Sequence, residues 1–338
     1  MFHSYQKLFF LILLMSIIFQ MSSLSWFSIW MMMEMNMMSF IPFLTFSDNQ
    51  LYNEGSMKYF IVQSFGSVML LMGWMISTFT FFTNFYFENI YYMMLYMALI
   101  LKMGASPFHF WFPSLMNNLN WFCSFLLMTW QKLGPLMMLS YVNQLMIMLF
   151  MSSGLSALVG GIGGFNQTNL RMIFAYSSIN HLGWLMICLI LTETIFIFYV
   201  SFYFFMMILF CLIFHLNMLS SLIQLYCFKS LFMEKYIIMI NLLSLGGLPP
   251  FSGFFLKWVV LNELLMEKMW MMSLILLVSS LMNLYYYIRI SYSYMMFSSM
   301  NMNLINFNLN NFNKFFISII LLIKMIGIIL IPLGMWMY

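Results

Sequence analysis

The stretch Leu101-Lys-Met-Gly-Ala-Ser-Pro-Phe-His-Phe-Trp-Phe-Pro113 interrupts an apolar run with a lysine and two helix-breaking residues. Lys102 ends a run of apolar residues that is long enough to lie inside a membrane. Gly104 and Pro107 then interrupt the helix, and the interruption removes backbone hydrogen bonds in a place where no water can replace them. A second stretch, Leu242–Trp258, repeats the design with paired glycines, paired prolines and a lysine. In membranes such features persist mainly where they line an ion path or a cavity, so the sequence predicts ion movement between the two breaks.

The composition excludes a water-soluble protein. Hydrophobic residues make up 64% of the 338 residues and charged residues only 6%. Apolar runs of about 20 residues, the length that crosses a bilayer as a helix, recur from end to end. The net charge of +4 comes from scattered basic residues, a pattern that does not indicate nucleic acid as a partner. The four cysteines form no Cys-x-x-Cys pair, and no iron–sulfur, haem or zinc ligand spacing is present, so we expect no bound cofactor or metal.

The fold class predicted from these runs is an all-α polytopic membrane protein with about eleven transmembrane helices. Their predicted extents are Lys7–Trp26, Ser28–Phe46, Met57–Phe82, Asn89–Met116, Asn120–Val142, Leu145–Phe165, Leu170–Leu191, Thr194–Leu225, Tyr236–Leu264, Trp270–Tyr294 and Phe315–Met337.

The two broken helices are the fourth and the ninth, so they lie five helices apart. Because five is odd, two five-helix halves would have opposite orientations in the membrane, which is typical of a transporter fold. We therefore predict one membrane domain over residues 1–338, with inverted halves at 1–143 and 144–297, a polar linker at 298–313 and an extra C-terminal helix at 314–338.

Loop charges predict the orientation. With the N-terminus on one side, the loops of that side hold seven basic residues: Lys7, Lys58, Arg171, Lys229, Lys235, Arg289 and Lys314. The opposite side holds only Lys268 among basic residues. The positive-inside rule then places the N-terminus in the basic compartment and the C-terminus across the membrane.

Four charges fall well inside predicted spans: Glu34, Lys102, Lys132 and Lys257. Placing each of these charges at a helix centre costs about 3 kcal/mol, so a random hydrophobic chain would not carry four of them. One carboxylate cannot neutralise three lysines directly, and the protonation of a buried lysine responds to its neighbours. These groups meet the physical requirement for a proton relay. The alternative is a static ion pair that fixes helix packing.

The predicted helix Leu170–Leu191 contains Ser177, Ser178 and His181 at three- and four-residue spacing, on one helix face. A histidine within a span can pass protons between lysines, so His181 and Ser178 are candidate relay residues. The alternative is a hydrogen-bonded packing histidine. The nearby stretch Gly160-Gly-Ile-Gly-Gly164 resembles a phosphate-binding loop, but its position in an apolar span favours close helix packing instead.

Five motifs carry a resemblance to the subunit 2 family of mitochondrial NADH dehydrogenase, respiratory complex I. They are Trp30-Met-Met-Met-Glu-Met-Asn-Met-Met-Ser-Phe-Ile-Pro-Phe43, the Leu101–Pro113 stretch, Thr129-Trp-Gln-Lys-Leu-Gly-Pro135, Asn169-Leu-Arg-Met-Ile-Phe-Ala-Tyr-Ser-Ser-Ile-Asn-His-Leu-Gly-Trp184 and Leu245-Gly-Gly-Leu-Pro-Pro-Phe-Ser-Gly-Phe-Phe-Leu-Lys-Trp258. They are spread over most of the chain in the expected order.

The resemblance implies an antiporter-like, proton-translocating core subunit of NADH:ubiquinone reductase in the mitochondrial inner membrane, with its N-terminus in the matrix and its C-terminus in the intermembrane space. It implies that Glu34 pairs with Lys102, and that Lys132 and Lys257 continue a hydrated path at mid-membrane. NAD, FMN, iron–sulfur clusters and ubiquinone would then be bound by other subunits. The implied partners are other membrane-arm subunits, including neighbouring antiporter-like and small accessory subunits, and lipids.

Two other functions remain open from the sequence. A cation/proton antiporter subunit outside complex I would share the fold, and a structural scaffold would use the same lysines to hold helices together. Ion dependence of transport in vesicles without NADH would distinguish the antiporter from the complex I subunit. If the lysines only hold helices, neutralising each one would damage assembly before it lowered the proton yield.

Overall fold

The computed structural model describes residues 4–45, 50–83, 88–142, 146–227, 232–249 and 251–300. Within these ranges the chain is helical, and the only pairing of extended backbone is an isolated antiparallel bridge between Asn169 and Ser221. The predicted C-terminal helix at 314–338 and most of the predicted linker lie outside the described residues.

The chain divides into two compact units, of which the first is Met1–Ser153. Its complete described helices are α1 Ser4–Ser22, α2 Trp26–Leu44, α3 Gln50–Thr83, α4 Glu88–Met103, α5 Trp111–Asn118, α6 Trp121–Met128 and α7 Trp130–Leu139. In this unit α2 packs against α1 and α3, while α4 packs against α3 and α7. Helices α3 and α7 therefore pack against α4, the helix whose last turn carries Lys102.

The second unit is Gly154–Tyr338, and the division falls inside α8. Its described helices are the remainder of α8 Met146–Gly163, followed by α9 Leu170–Leu191, α10 Glu193–Leu216, α11 Leu222–Cys227, α12 Phe232–Gly246, α13 Ser252–Met266 and α14 Trp270–Met300. Helix α9 is buried along most of its length and packs against α10, α13 and α14. The candidate relay residues of α9 thus lie in the interior of this unit.

Glycine allows α8 to approach α9 closely within the second unit. A Cβ at Gly160 would overlap the backbone of Asn180 and the carbonyl of Tyr176 on α9. The Asn180 Nδ2 donates a hydrogen bond of 2.7 Å to the Ala157 carbonyl on α8. The prediction that these glycines serve helix packing is confirmed.

Six described helices are long and apolar enough to cross a membrane by length and composition, namely α1, α3, α8, α9, α10 and α14. The prediction of an all-helical membrane-type protein is confirmed. The count of eleven crossings and the inverted repeat stay predictions.

Two predicted continuous helices are interrupted. The predicted span Thr194–Leu225 is too long for a bilayer of about 30 Å, and α10 ends at Leu216, two residues before Met218 adopts a positive φ of 52°. The predicted span Asn120–Val142 divides at Thr129 into α6 and α7. Pro135 cannot donate a backbone hydrogen bond to the carbonyl four residues earlier, so the preceding turn is weakened.

Candidate functional site

The first predicted break is present at the end of α4. The helix ends at Met103, and Gly104 follows with a φ of +70°, a conformation that glycine adopts without steric cost. Two side chains donate hydrogen bonds to carbonyls in the last turn before the break, and the Leu101 carbonyl also accepts from the Gly104 N–H at 3.2 Å. Gln63 Nε2 donates to the Lys102 carbonyl at 3.1 Å, and Trp111 Nε1 donates to the Leu101 carbonyl at 3.1 Å. The break is therefore a stable part of the fold, because its polar backbone groups are satisfied.

The break at Gly104 also positions an aromatic ring for Lys132. A Cβ at Gly104 would lie 3.0 Å from the Cβ of Phe112, so only glycine allows α5 to approach this closely. The Nζ of Lys132 lies 4.6 Å from the centroid of the Phe112 ring. A cation in this position is attracted by the ring face.

Lys102 and Lys132 line one cavity in the first unit. Lys102 is 8% exposed and Lys132 is 3% exposed. Their cavity offers about 20 Å³ to the centre of a water molecule. Its other lining residues are mostly polar or aromatic: Gln20, Met33, Asn36, Tyr59, Gln63, Met103, Trp111, Phe112, Leu127, Gln131 and Pro135. Two lysines that lie on opposite sides of a helix break in the sequence thus line the same polar cavity.

Glu34 lies half-buried on α2, next to this site. Among the described residues it forms no ion pair with Lys102 within 4.0 Å. The Lys102 Nζ is instead 3.5 Å from the sulfur of Met33, the residue that precedes Glu34. The charge of Glu34 can therefore reach Lys102 only through space, without a direct contact.

An amide pair joins α2 to α7 beside the two lysines, and the sequence analysis did not identify it. Asn36 Nδ2 donates to Gln131 Oε1 at 2.8 Å, and Gln131 Nε2 donates to Asn36 Oδ1 at 3.0 Å. The Tyr59 hydroxyl also donates to Gln131 Oε1, at 3.3 Å. The sequence did contain a signal for this pair, because both amides lie inside otherwise apolar spans. Asn36 follows Glu34 by two residues, and Gln131 directly precedes Lys132.

The second predicted break is present at the end of α12, and Lys257 caps it. The Lys257 Nζ donates to the carbonyl of Gly246 at 2.8 Å and lies 3.5 Å from that of Leu245. Gly247 has a φ of +81°, and a Cβ there would lie 2.9 Å from the Nζ. Since a helix C-terminus carries partial negative charge, a lysine ammonium is stabilised at this position.

His181 lies in a second, smaller cavity of the second unit, and its ring is placed by two tyrosines. Its Nδ1 is 3.0 Å from the Tyr199 hydroxyl, and its ring centroid is 5.2 Å from that of Tyr203. The Tyr203 hydroxyl hydrogen-bonds to Ser178, whose own hydroxyl donates to the Ala175 carbonyl at 2.7 Å. Tyr203 thus contacts both predicted relay residues of α9: its ring packs against His181 and its hydroxyl bonds to Ser178.

This second cavity offers about 10 Å³ to the centre of a water molecule. It is also lined by Leu245, one of the two residues whose carbonyls face the Lys257 ammonium. Each unit therefore combines a broken helix, a buried lysine and a small cavity with hydroxyl, amide or imidazole groups. Such a set can bind and release protons.

Comparison with known proteins places these features in a family. A family model described as NADH:quinone oxidoreductase/Mrp antiporter, transmembrane, matches residues 23–283. The chain is 40% identical over 295 residues to NADH-ubiquinone oxidoreductase chain 2 of Locusta migratoria, and the match covers 87% of this chain and 86% of the locust protein.

Two solved structures share the fold at low identity. One is a chain of respiratory complex I from Thermus thermophilus, with a TM-score of 0.79 and 19% identity over 96% of this chain and 78% of that one. The other is a chain of an Mrp complex from Dietzia, with a TM-score of 0.73 and 13% identity over 90% of this chain and 61% of that one.

Proposed function

This chain belongs to the NADH:quinone oxidoreductase/Mrp antiporter family of transmembrane proteins, and we propose that it is a proton-translocating core subunit in the membrane arm of respiratory complex I. The complex is an oxidoreductase that passes electrons from NADH to ubiquinone. The observation that carries the mechanism is the pairing of Lys102 and Lys132 around one polar cavity behind a broken helix.

The first unit supplies buried lysines whose protonation responds to changes elsewhere in the complex. Among the described residues Lys102 has no direct contact with a carboxylate, so its protonation depends on the local field. A change in that field at Glu34 alters the proton affinity of Lys102 and then of Lys132. A signal that reaches Glu34 is thereby converted into proton binding or release at the lysines.

The second unit supplies a matching set of groups. Tyr203 lies against both His181 and Ser178, and Lys257 binds the end of α12 as a cap. A charged Lys257 is stabilised by the two carbonyls, whereas a neutral amine loses most of that interaction. Protonation of Lys257 is therefore coupled to the integrity of the broken helix. Together the buried groups carry protons from the matrix to the intermembrane space.

The location and partners follow from the same assignment. The chain lies in the mitochondrial inner membrane with its basic loops and N-terminus in the matrix, which the distribution of lysine and arginine supports. Its partners are other membrane-arm subunits, and the flavin, iron–sulfur clusters, NAD and ubiquinone are bound by other subunits of the complex.

A cation/proton antiporter subunit outside complex I is the second candidate, because the Mrp chain shares the fold. Sodium-dependent transport in vesicles without NADH would favour that candidate. A scaffold function is the third, since the cap formed by Lys257 also stabilises structure.

The experiment that tests subunit identity is native electrophoresis of detergent-solubilised inner membranes, with a stain for NADH oxidation and mass spectrometry of the stained band. We expect this chain in a very large NADH-oxidising band. Recovery of the chain only in a small band without that activity would favour the antiporter function.

A further inference from the structure

Gln20, on the last turn of α1, is a buried amide to which the sequence analysis gave no role. Its side chain is 1% exposed, and neither Oε1 nor Nε2 has a hydrogen-bond partner among the described residues. Both atoms belong to a residue that lines the cavity shared by Lys102 and Lys132. Buried amides in folded proteins are normally hydrogen-bonded, so an amide at this position indicates a polar occupant of the cavity.

The facing helix leaves space for this amide. Gly134 lies on α7, two residues after Lys132, and a Cβ at Gly134 would overlap the Gln20 amide oxygen. Any other residue at this position would displace the amide. The glycine therefore leaves room for the Gln20 amide where it is.

The cavity suits a water molecule. The space of about 20 Å³ open to a water centre exceeds the roughly 10–15 Å³ that one water needs. A buried water also needs two to four polar partners. The Gln20 amide provides a donor and an acceptor, and the two lysines provide the groups between which a proton would move.

We propose that Gln20 is a positioning residue that holds a water molecule between Lys102 and Lys132, and that protons pass between the lysines through this water. This inference rests on the proposed function. In the transfer, an N–H bond of the Lys102 ammonium breaks as its proton binds the water oxygen. At the same time an O–H bond of the water breaks and its proton binds the neutral amine of Lys132. The water is regenerated, and no oxidant or other reactant is required.

The test compares two replacements of Gln20 in the assembled complex reconstituted into lipid vesicles. Gln20→Met keeps the length of the side chain but removes its hydrogen-bonding atoms. We expect NADH-driven proton translocation per assembled complex to slow about two- to tenfold, the equivalent of one lost hydrogen bond in the transition state. Gln20→Asn keeps the neutral amide on a side chain shorter by one methylene, and we expect it to keep more of the rate than Gln20→Met does.

Two further readouts separate positioning from simple packing. The ratio of translocation rates in H₂O and D₂O should rise in Gln20→Met, because proton transfer becomes slower. Gly134→Ala should reproduce the defect by displacing the amide, whereas Gly154→Ala should not, since a Cβ at Gly154 makes only ordinary contacts of 3.6 Å or more.

An unchanged rate and an unchanged isotope ratio in Gln20→Met would overturn the inference. If Lys132→Met still slows translocation in that case, the proposed function stands without the role of Gln20. If Lys132→Met also has no effect, the proposed function itself fails. An experimental map that resolves water offers a second test: a water bound to the Gln20 amide supports the inference, and an amide bonded only to protein groups contradicts it.

Discussion

Replacing Gly247 with alanine tests whether the cap that Lys257 places on α12 is required. Gly247 has a φ of +81°, and an alanine there costs about 1–2 kcal/mol of backbone strain. The new Cβ would lie 2.9 Å from the Lys257 Nζ, which is too close for an unchanged ammonium position. Loss of the 2.8 Å hydrogen bond to the Gly246 carbonyl costs about a further 1.5–3 kcal/mol, because the donor is charged. The expected total is about 2.5–5 kcal/mol.

The neighbouring glycine provides a matched control. A Cβ at Gly246 would make contacts of 3.6–3.7 Å with Leu284 and Tyr287, which is ordinary van der Waals distance. We therefore expect Gly246→Ala to assemble and translocate protons nearly as the unmodified chain does. The assays are the amount of assembled complex on native gels and the rate of NADH-driven proton translocation in vesicles.

A double variant separates strain from the loss of the cap. In a Lys257→Met background the cap is already absent, so Gly247→Ala should add only the backbone cost of about 1–2 kcal/mol. If Gly247→Ala alone assembles and translocates protons as well as Gly246→Ala does, the argument for the cap is refuted.

Three other predictions concern contacts seen in the two units. Phe112→Leu removes the ring beneath the Lys132 ammonium and should lower translocation by the equivalent of about 1–2 kcal/mol with little loss of assembly; an unchanged rate would contradict this. Asn36→Leu and Gln131→Met should each reduce assembly by about 1–3 kcal/mol, because each removes both hydrogen bonds of the amide pair. The double variant should cost less than the sum of the single ones, and simple additivity would show that the pair does not act as a unit. Gly160→Ala should prevent the close approach of α8 to α9, seen as loss of the assembled complex on native gels, and normal assembly would be the opposing result.

Much of the fold could be predicted from the sequence because helix breakers and charges are conspicuous in apolar spans. The bounds of α9, Leu170–Leu191, agree with the prediction, and both lysine-containing breaks occur where glycine follows the apolar run. The two interruptions that were missed involve Thr129 and the residues after Leu216. Neither position contains glycine, and Pro135, which weakens the turn after Thr129, lies several residues beyond the division itself.

The candidate site was predicted less completely. A lysine inside an apolar span indicates a functional site, because burying an isolated charge in a membrane is costly. Burying a neutral amide costs less, so the sequence alone did not indicate a function for Gln20, Asn36 or Gln131. Their importance depends on which helices face one another, and the sequence alone does not determine that. The resemblance implied that Glu34 pairs with Lys102, whereas among the described residues the two side chains form no ion pair within 4.0 Å.

The measurement that tests the central claim most directly is the number of protons translocated per NADH oxidised by an assembled complex carrying Lys102→Met. This change removes the charge at the first break, while the Gln63 and Trp111 hydrogen bonds to backbone carbonyls remain available. We predict normal assembly on native gels with a clearly reduced proton yield. An assembled complex with a normal proton yield would contradict the proposed path, and a complex that fails to assemble would favour the scaffold function.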